Sequence, residues 1–358
     1  MRPHTVTAAL WLALLGWPAG ITAQDDGALG RIEFRTIGPS TMSGRIVDLE
    51  VLDVDPDVFY VASSTGGLYK TTNRGISFES VTDDLPTHSI GDVAVHPVDT
   101  ARVWLGMGER ASRQSSSWGD GVWRSDDGGQ TWTHVGLEDS KHIGRITLHP
   151  ADRNVAFVAA MGHLWGPNEQ RGLYRTHDAG ATWEKVLGVD ENTGVVEIQM
   201  DPIDHDVLYA ATYQRRRRPW GFHGGGPGSA LWKSTDGGDT WTKLTNAGLD
   251  NGLPDGTIGR IGVSIYRSDP RIVYAAVEQG LRYNASTAYE ERLSGIYRSG
   301  DRGESWEYMG DWNPRPMYAS QILVDPSDDQ RVYMVNAYSW SDDGGRTFTV
   351  PRQSLHGD

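Results

Sequence analysis

An eight-residue box, Ser/Thr-x-Asp-x-Gly-x-Ser/Thr-Trp/Phe, recurs six times along the chain, and its fullest copy is Ser125-Asp126-Asp127-Gly128-Gly129-Gln130-Thr131-Trp132. The other copies run Thr71–Phe78, Thr176–Trp183, Ser234–Trp241, Ser299–Trp306 and Ser341–Phe348, with Asn73 in place of Asp in the first. A repeat every roughly 40 to 65 residues means one supersecondary unit used again and again, with loops of unequal length between constant cores. Each unit shares a larger frame. A hydrophobic run enters a Pro-containing turn, as in Val54-Asp55-Pro56 or Leu148-His149-Pro150. A β-branched and aromatic run follows, such as Val207-Leu208-Tyr209-Ala210, and a third, such as Val122-Trp123-Arg124, leads into the box. The box aromatic then opens a fourth. Short runs of this kind, punctuated by Asp-Pro and Gly-Gly, read as antiparallel strands. Four per unit make an all-β chain, a β-propeller of four-stranded antiparallel blades. The blades are expected over about 44–86, 88–138, 141–190, 193–250, 256–312 and 317–355, within a propeller domain spanning 24–358.

The boxes read as structural. The third-position side chains (Asn73, Asp127, Asp178, Asp236, Asp301 and Asp343) can accept backbone N–H groups of their own turn, while glycine takes a positive φ. The closing aromatics (Phe78, Trp132, Trp183, Trp241, Trp306 and Phe348) are large enough to seal each blade against its neighbour. A calcium hand needs a twelve-residue loop ending in Glu, which none of the boxes supplies. The eleven histidines show no zinc spacing, and the sequence has no nucleophile elbow, phosphate loop or dinucleotide fingerprint. No metal and no cofactor is expected.

Residues 1–23 combine Arg2, the apolar stretch Val6–Trp17 and the small Ala23, the pattern of a secretory signal peptide. The mature protein is therefore expected to be exported, to periplasm, cell surface or medium. No other segment approaches a membrane span. The chain has no cysteine, so core packing must hold the fold without disulfides. A net charge of −14 argues against nucleic acid or an anionic membrane as partner. The last box closes only ten residues before Asp358, and Ile32–Ile37 has the character of a strand that closes the ring. The expectation is a C-terminally truncated part of a larger protein, with seven or more blades or two propellers.

Ligands of propellers meet the channel mouth, where the innermost strands begin. Aligning the units puts Arg45, Asp92, Arg145, Glu197, Arg260 and Gln321 at those starts. Three guanidiniums and two carboxylates in a ring can pair with one another, or can clamp an acidic or polar ligand through bidentate arginine. Glu109 and His142 can reach the same face. Asp92 with Glu109 is the best available carboxyl pair for glycoside hydrolysis, which needs two carboxyls about 5–10 Å apart. The run Arg215–Arg218, next to Pro219-Trp220 and a glycine-rich stretch, reads as a solvated or partner-contacting insertion, and Tyr283–Arg292 as a second.

The box set resembles the Asp-box, or BNR-repeat, propellers, which include sialidases, two-propeller xyloglucanases, sortilin-type ectodomains and a photosystem assembly factor. Trp118-Gly119-Asp120-Gly121-Val122-Trp123, Lys141-His142-Ile143-Gly144-Arg145-Ile146, Tyr213-Gln214-Arg215-Arg216-Arg217-Arg218 and Asn313-Pro314-Arg315-Pro316 resemble a bacterial subgroup described as sortilin N-terminal-like or "glycosyl hydrolase" BNR proteins. The resemblance implies the propeller fold over essentially the whole mature chain. Two departures weigh against carrying an activity over. Ser64 stands where the xyloglucanases place an acid before Gly-Gly-Leu-Tyr, and Phe34-Arg35-Thr36-Ile37-Gly38-Pro39 replaces the Phe-Arg-Ile-Pro that opens sialidases. The leading expectation is an exported binding or scaffold module for a peptide, protein or glycan at the top face. The alternatives are a glycoside hydrolase whose active site is incomplete in this chain, and an assembly factor for an exported or membrane complex.

Overall fold

The computed structural model describes residues 44–351, apart from 114, 281–293 and 336–337. The expected leader, the closing strand Ile32–Ile37, the insertion Tyr283–Arg292 and the residues after 351 lie outside the described residues. Within them the chain forms six antiparallel sheets that follow one another in sequence, a six-bladed β-propeller. Blade 1 comprises Ile46–Val51, Phe59–Ser63, Gly67–Thr71 and Glu79–Ser80. The inner strands of blades 2 to 6 are Ile90–Val95, Ile143–Leu148, Thr193–Met200, Ile258–Ile265 and Ile322–Asp325. Blade 4 carries an extra hairpin strand, Gly221–Gly224, and blade 6 has three strands extended by a bridge between Trp340 and Thr349. Among the described residues no helix is long and apolar enough to cross a membrane.

Burial explains the order. The inner strands Ile90–Val95 and Ile258–Ile265 are buried at every position, because neighbouring blades cover both faces. Tyr60, Ala62 and Leu68 of blade 1 form one core with Ile90, Val93 and Leu105 of blade 2. Each such aliphatic side chain contributes about 1.5–3 kcal/mol by leaving water.

Every box folds alike. In the second, Ser125 Oγ donates to Asp127 Oδ1 at 2.7 Å, and Asp127 also accepts the Thr131 N–H at 2.8 Å and the Thr131 hydroxyl at 2.6 Å. These bonds, the Thr131 hydroxyl first, hold the Asp127 carboxyl down at about 2. Two consecutive residues take the left-handed conformation. The first can be Arg74, Ala179 or Arg302, but the second is glycine in all six boxes. Trp132 donates its ring N–H across the blade boundary to the Val81 carbonyl at 2.7 Å, and Trp183 does so to Val135 at 2.6 Å. The aromatic thus seals its blade to the preceding one.

A bulge near the start of each of the first five inner strands sets which polar side chains reach the channel. The pairing Ile90↔Met107 is followed by Asp92↔Gly106, which skips Gly91, and Ile143↔Ala160 by Arg145↔Ala159, which skips Gly144. An extra residue on one strand bends it and re-aims the next side chain. Glycine is required at both skipped positions, because a Cβ on Gly91 would sit 2.1 Å from the Ile143 carbonyl oxygen, and one on Gly144 2.5 Å from that of Val196.

Candidate functional site

The same bulge corrects the alignment of the first unit. Ile46↔Ser63 is followed by Asp48↔Ala62, so Asp48 rather than Arg45 matches Asp92, Arg145 and Glu197. The Ser43-Gly44-Arg45-Ile46 frame mimics Ile-Gly-Arg-Ile in sequence but sits three residues early. Asp48 and Asp92 then play matching parts, each accepting a backbone N–H from the next blade's inner strand: Val93 at 3.2 Å and Ile146 at 2.7 Å.

These two carboxyls anchor a buried ionic network. Arg110 contacts Asp92 at 2.7 Å and Asp48 at 3.8 Å, and Arg145 lies 3.3 Å from Asp92 and 2.9 Å from Glu197. Burial pushes the Asp92 carboxyl well above the usual range, Arg145 and Arg110 oppose it, and Asp48 adds to it. Burial would also raise Asp48, but the Arg110 and Arg145 guanidiniums and hydrogen bonds from Asp92 and Val93 outweigh it and bring it down. Burial favours the neutral form of Asp92, while the arginines favour the charged form of Asp48. Asp92 is thus built into the inter-blade joint.

Glu109 lies elsewhere in the constellation. Fully buried, it accepts Arg45 Nη2 at 2.5 Å and the Ser117 N–H at 3.4 Å. Arg45 also donates to Ser64 Oγ at 3.0 Å, so the serine at the expected acid position serves the arginine. His142 Nδ1 donates to the Glu109 carbonyl at 2.9 Å, and burial together with Arg215 depresses its pKa, which keeps the imidazole neutral. The guanidinium of Arg260 reaches the carbonyls of Arg110 at 3.0 Å and Tyr318 at 3.2 Å. Gln321 precedes the inner strand of blade 6, and its carbonyl accepts the Val335 N–H at 3.1 Å. Of the expected carboxyl pair, Glu109 is held by Arg45, and Asp92 by Arg110 and Arg145. Among the described residues no three His, Cys, Asp or Glu side chains are placed to hold a metal ion.

Arg145 faces the other end of the channel. It lines a cavity of about 400 Å³ with Glu50, Gln199, Ile265 and Arg267, where the inner strands finish. Burial and then the neighbouring Asp48 push Glu50 up to about 7. Its folded pKa exceeds the ordinary value of 4.5, so its contribution to stability is fully present below pH 4.5 and lost as pH rises through 7. Glu50→Gln is expected to raise stability at pH 8 by about 1–2 kcal/mol, after discounting for residual exposure, and to leave it unchanged at pH 4.5. Denaturant titrations at the two pH values measure this, and an equal change at both would contradict it.

The arginine run differs most from its expected form. Arg215–Arg218 continues the second strand of blade 4, Leu208–Arg218, which pairs with Gly221–Gly224. Strand alternation turns Arg215 and Arg217 inward, where both are buried, while Arg218 is exposed. A run of four like charges reads as a loop only until its period of two is imposed. Arg215 reaches Ser112 Oγ and the Gly162 carbonyl, both at 3.3 Å. Arg171, also buried, donates to the carbonyls of Met161 at 2.9 Å, Gly166 at 3.0 Å and His163. These two arginines tie down the connections between second and third strands in blades 2 and 3.

Those connections and the matching one in blade 4 carry the most exposed tryptophans among the described residues. Trp118, Trp165 and Trp220 are 71%, 53% and 72% exposed, whereas every other described tryptophan is buried or half-buried. They sit between the second and third strands of blades 2, 3 and 4, on the rim above Glu109, His142 and Arg215. Trp220 stood out in the sequence beside the arginine run. Trp118 and Trp165 were masked by a chain with fourteen tryptophans, most of them spent on packing.

Comparisons with known proteins meet this geometry at the level of fold. The family model described as "Sortilin, neurotensin receptor 3" matches residues 120–251. A xyloglucanase from a Paenibacillus species is 24% identical over 332 residues, covering 82% of this chain and 30% of that protein. The crystal structure of the GH74 xyloglucanase from Xanthomonas campestris aligns with a TM-score of 0.59 at 22% identity, over 84% of this chain and 45% of the other. The GH74 enzyme of Niastella koreensis aligns with a TM-score of 0.61 at 18% identity, over 83% and 45%. The chain therefore spans about a third of the length of its curated relative and under half of each structural one.

Proposed function

We propose that this propeller forms the polysaccharide-binding face of a glycoside hydrolase. The observation that carries the reading is the set of three exposed tryptophans on one rim. An exposed indole keeps a large apolar face in water, which is costly unless something covers it, and pyranose rings present a matching flat C–H face. The rim is held by buried arginines and is thus preorganised, which limits the ordering cost of binding. The similarity to proteins named xyloglucanase supports the reading and favours it over a scaffold role. Glu109, beneath the rim and held by Arg45, is the carboxyl nominated for chemistry in an active site that is incomplete in this chain, and Asp92, engaged by Arg110 and Arg145, is assigned a structural part. The leader-like residues 1–23 fit an exported protein acting on an extracellular polysaccharide.

A peptide or protein ligand is the second reading, favoured by the sortilin family match over residues 120–251. Calorimetric binding and reducing-sugar release on xyloglucan, cellulose-derived, mannan and sialylated oligosaccharides test the first. Binding to at least one polysaccharide is expected, with any sugar release abolished by Glu109→Gln while binding persists. Absence of binding to every glycan, with capture of a peptide, would replace the reading by the second.

A further inference from the structure

Three buried guanidiniums lie beneath the tryptophan rim without a carboxylate in ion-pairing distance among the described residues: Arg171 and Arg215, each 1% exposed, and Arg260, 3% exposed. The carboxylates around them are committed elsewhere. Glu109 is held by Arg45, Asp92 and Glu197 by Arg145, and one oxygen of Glu278 accepts the Arg260 backbone N–H at 2.9 Å. The Nε atoms of Arg171 and Arg215 are buried with no hydrogen-bond partner. Burial, their mutual repulsion and the nearby cations weaken these charges, yet Arg171 and Arg260 are pushed down only to about 10 and remain charged at neutral pH. Buried charges are ordinarily paired. Here guanidiniums without an ion-paired carboxylate among the described residues stand under the rim of a protein with net charge −14.

The rim itself repeats the pattern in reach of solvent. Lys141 Nζ lies 6.0 Å from the Trp118 ring centre, and the exposed Arg218 guanidinium 5.9 Å from that of Trp220. Lys141 also donates to the Glu138 carbonyl at 3.0 Å and stands 3.9 Å from Asp139, while Asp139 pairs with His163 at 2.9 Å. Two of the three platforms thus carry a cation over one face of the ring. That is the arrangement for a sugar ring that bears an anionic substituent, with stacking on the indole and a charge-assisted bond beside it.

We propose, resting on the polysaccharide-binding reading, that the preferred ligand is an acidic saccharide, with rings stacked on Trp118 and Trp220 and carboxylate or sulfate groups held by Lys141 and Arg218 above the buried arginine cluster. The overall negative charge does not forbid it, since salt screens charges beyond about 8 Å at physiological ionic strength. Three hexasaccharides of one β-1,4-glucose backbone test the proposal: the neutral cello-oligosaccharide, its uronic-acid form and its sulfated form. At least one anionic form is expected to bind about tenfold or more tighter than the neutral one, and the tighter of the two identifies the substituent. The double variant K141Q/R218Q, both changes at the rim, is expected to erase the preference while leaving neutral affinity within about twofold. Neutral binding as tight as both anionic forms overturns the proposal and spares the polysaccharide reading. Failure of all three hexasaccharides and of the wider glycan panel overturns both.

Discussion

Replacing Asp92 by Ala is expected to destabilise the folded state by about 3–5 kcal/mol. Two losses add up. Arg110 and Arg145 lose a buried carboxyl at 2.7 and 3.3 Å, and the Ile146 N–H, 2.7 Å from Asp92, is left in the interior without its acceptor. An unsatisfied buried donor alone costs about 1–3 kcal/mol. Asp92→Asn should behave differently. Burial already favours the neutral form of this side chain, and an amide oxygen can still accept the Ile146 N–H. The asparagine variant is therefore expected to lose less than about 1.5 kcal/mol, well short of the alanine variant. Chemical denaturation of the two proteins at neutral pH separates these outcomes. Equal, large losses in both would mean that the ionised carboxylate is the form the fold requires.

This contrast bears on how much of the site could be read from the residues. The box pattern reveals blade number, turn chemistry and inter-blade sealing, because each depends on a few positions at fixed spacing. The inner strands are legible too, as hydrophobic runs between glycine-containing starts and proline turns. Register is not. A bulge of one residue decides which side chain enters the channel, and it places Asp48, not Arg45, beside Asp92. The part-buried pair Arg45–Glu109 joins blades 1 and 2 across 64 residues, and Arg110 reaches Asp92 within blade 2 across 18; no local pattern announces either. Arg215–Arg218 had the composition of a loop but the alternation of a strand, and only pairing with Gly221–Gly224 settles which applies. Trp118 and Trp165 differ from the packing tryptophans by exposure alone, which is a tertiary property.

The simultaneous change of Trp118, Trp165 and Trp220 to Ala is expected to weaken glycan binding by about 10²–10³-fold. Each stacked indole contributes about 1–1.5 kcal/mol, and the three sit on separate blades, so their losses should be nearly additive. Stability should stay within about 0.5 kcal/mol per position, since all three rings are largely in solvent. The Trp132 ring is the internal contrast: its N–H bonds Val81 across the blade boundary, so its loss should lower stability without a direct effect at the rim.

The most direct measurement is a calorimetric titration of the wild-type chain and the triple tryptophan variant with a xyloglucan oligosaccharide and with the uronic-acid hexasaccharide. Saturable binding to at least one by the wild type, lost in a variant of unchanged melting temperature, is the predicted result. Binding of equal strength in both proteins would contradict the account, because the glycan would then lie away from the tryptophan rim.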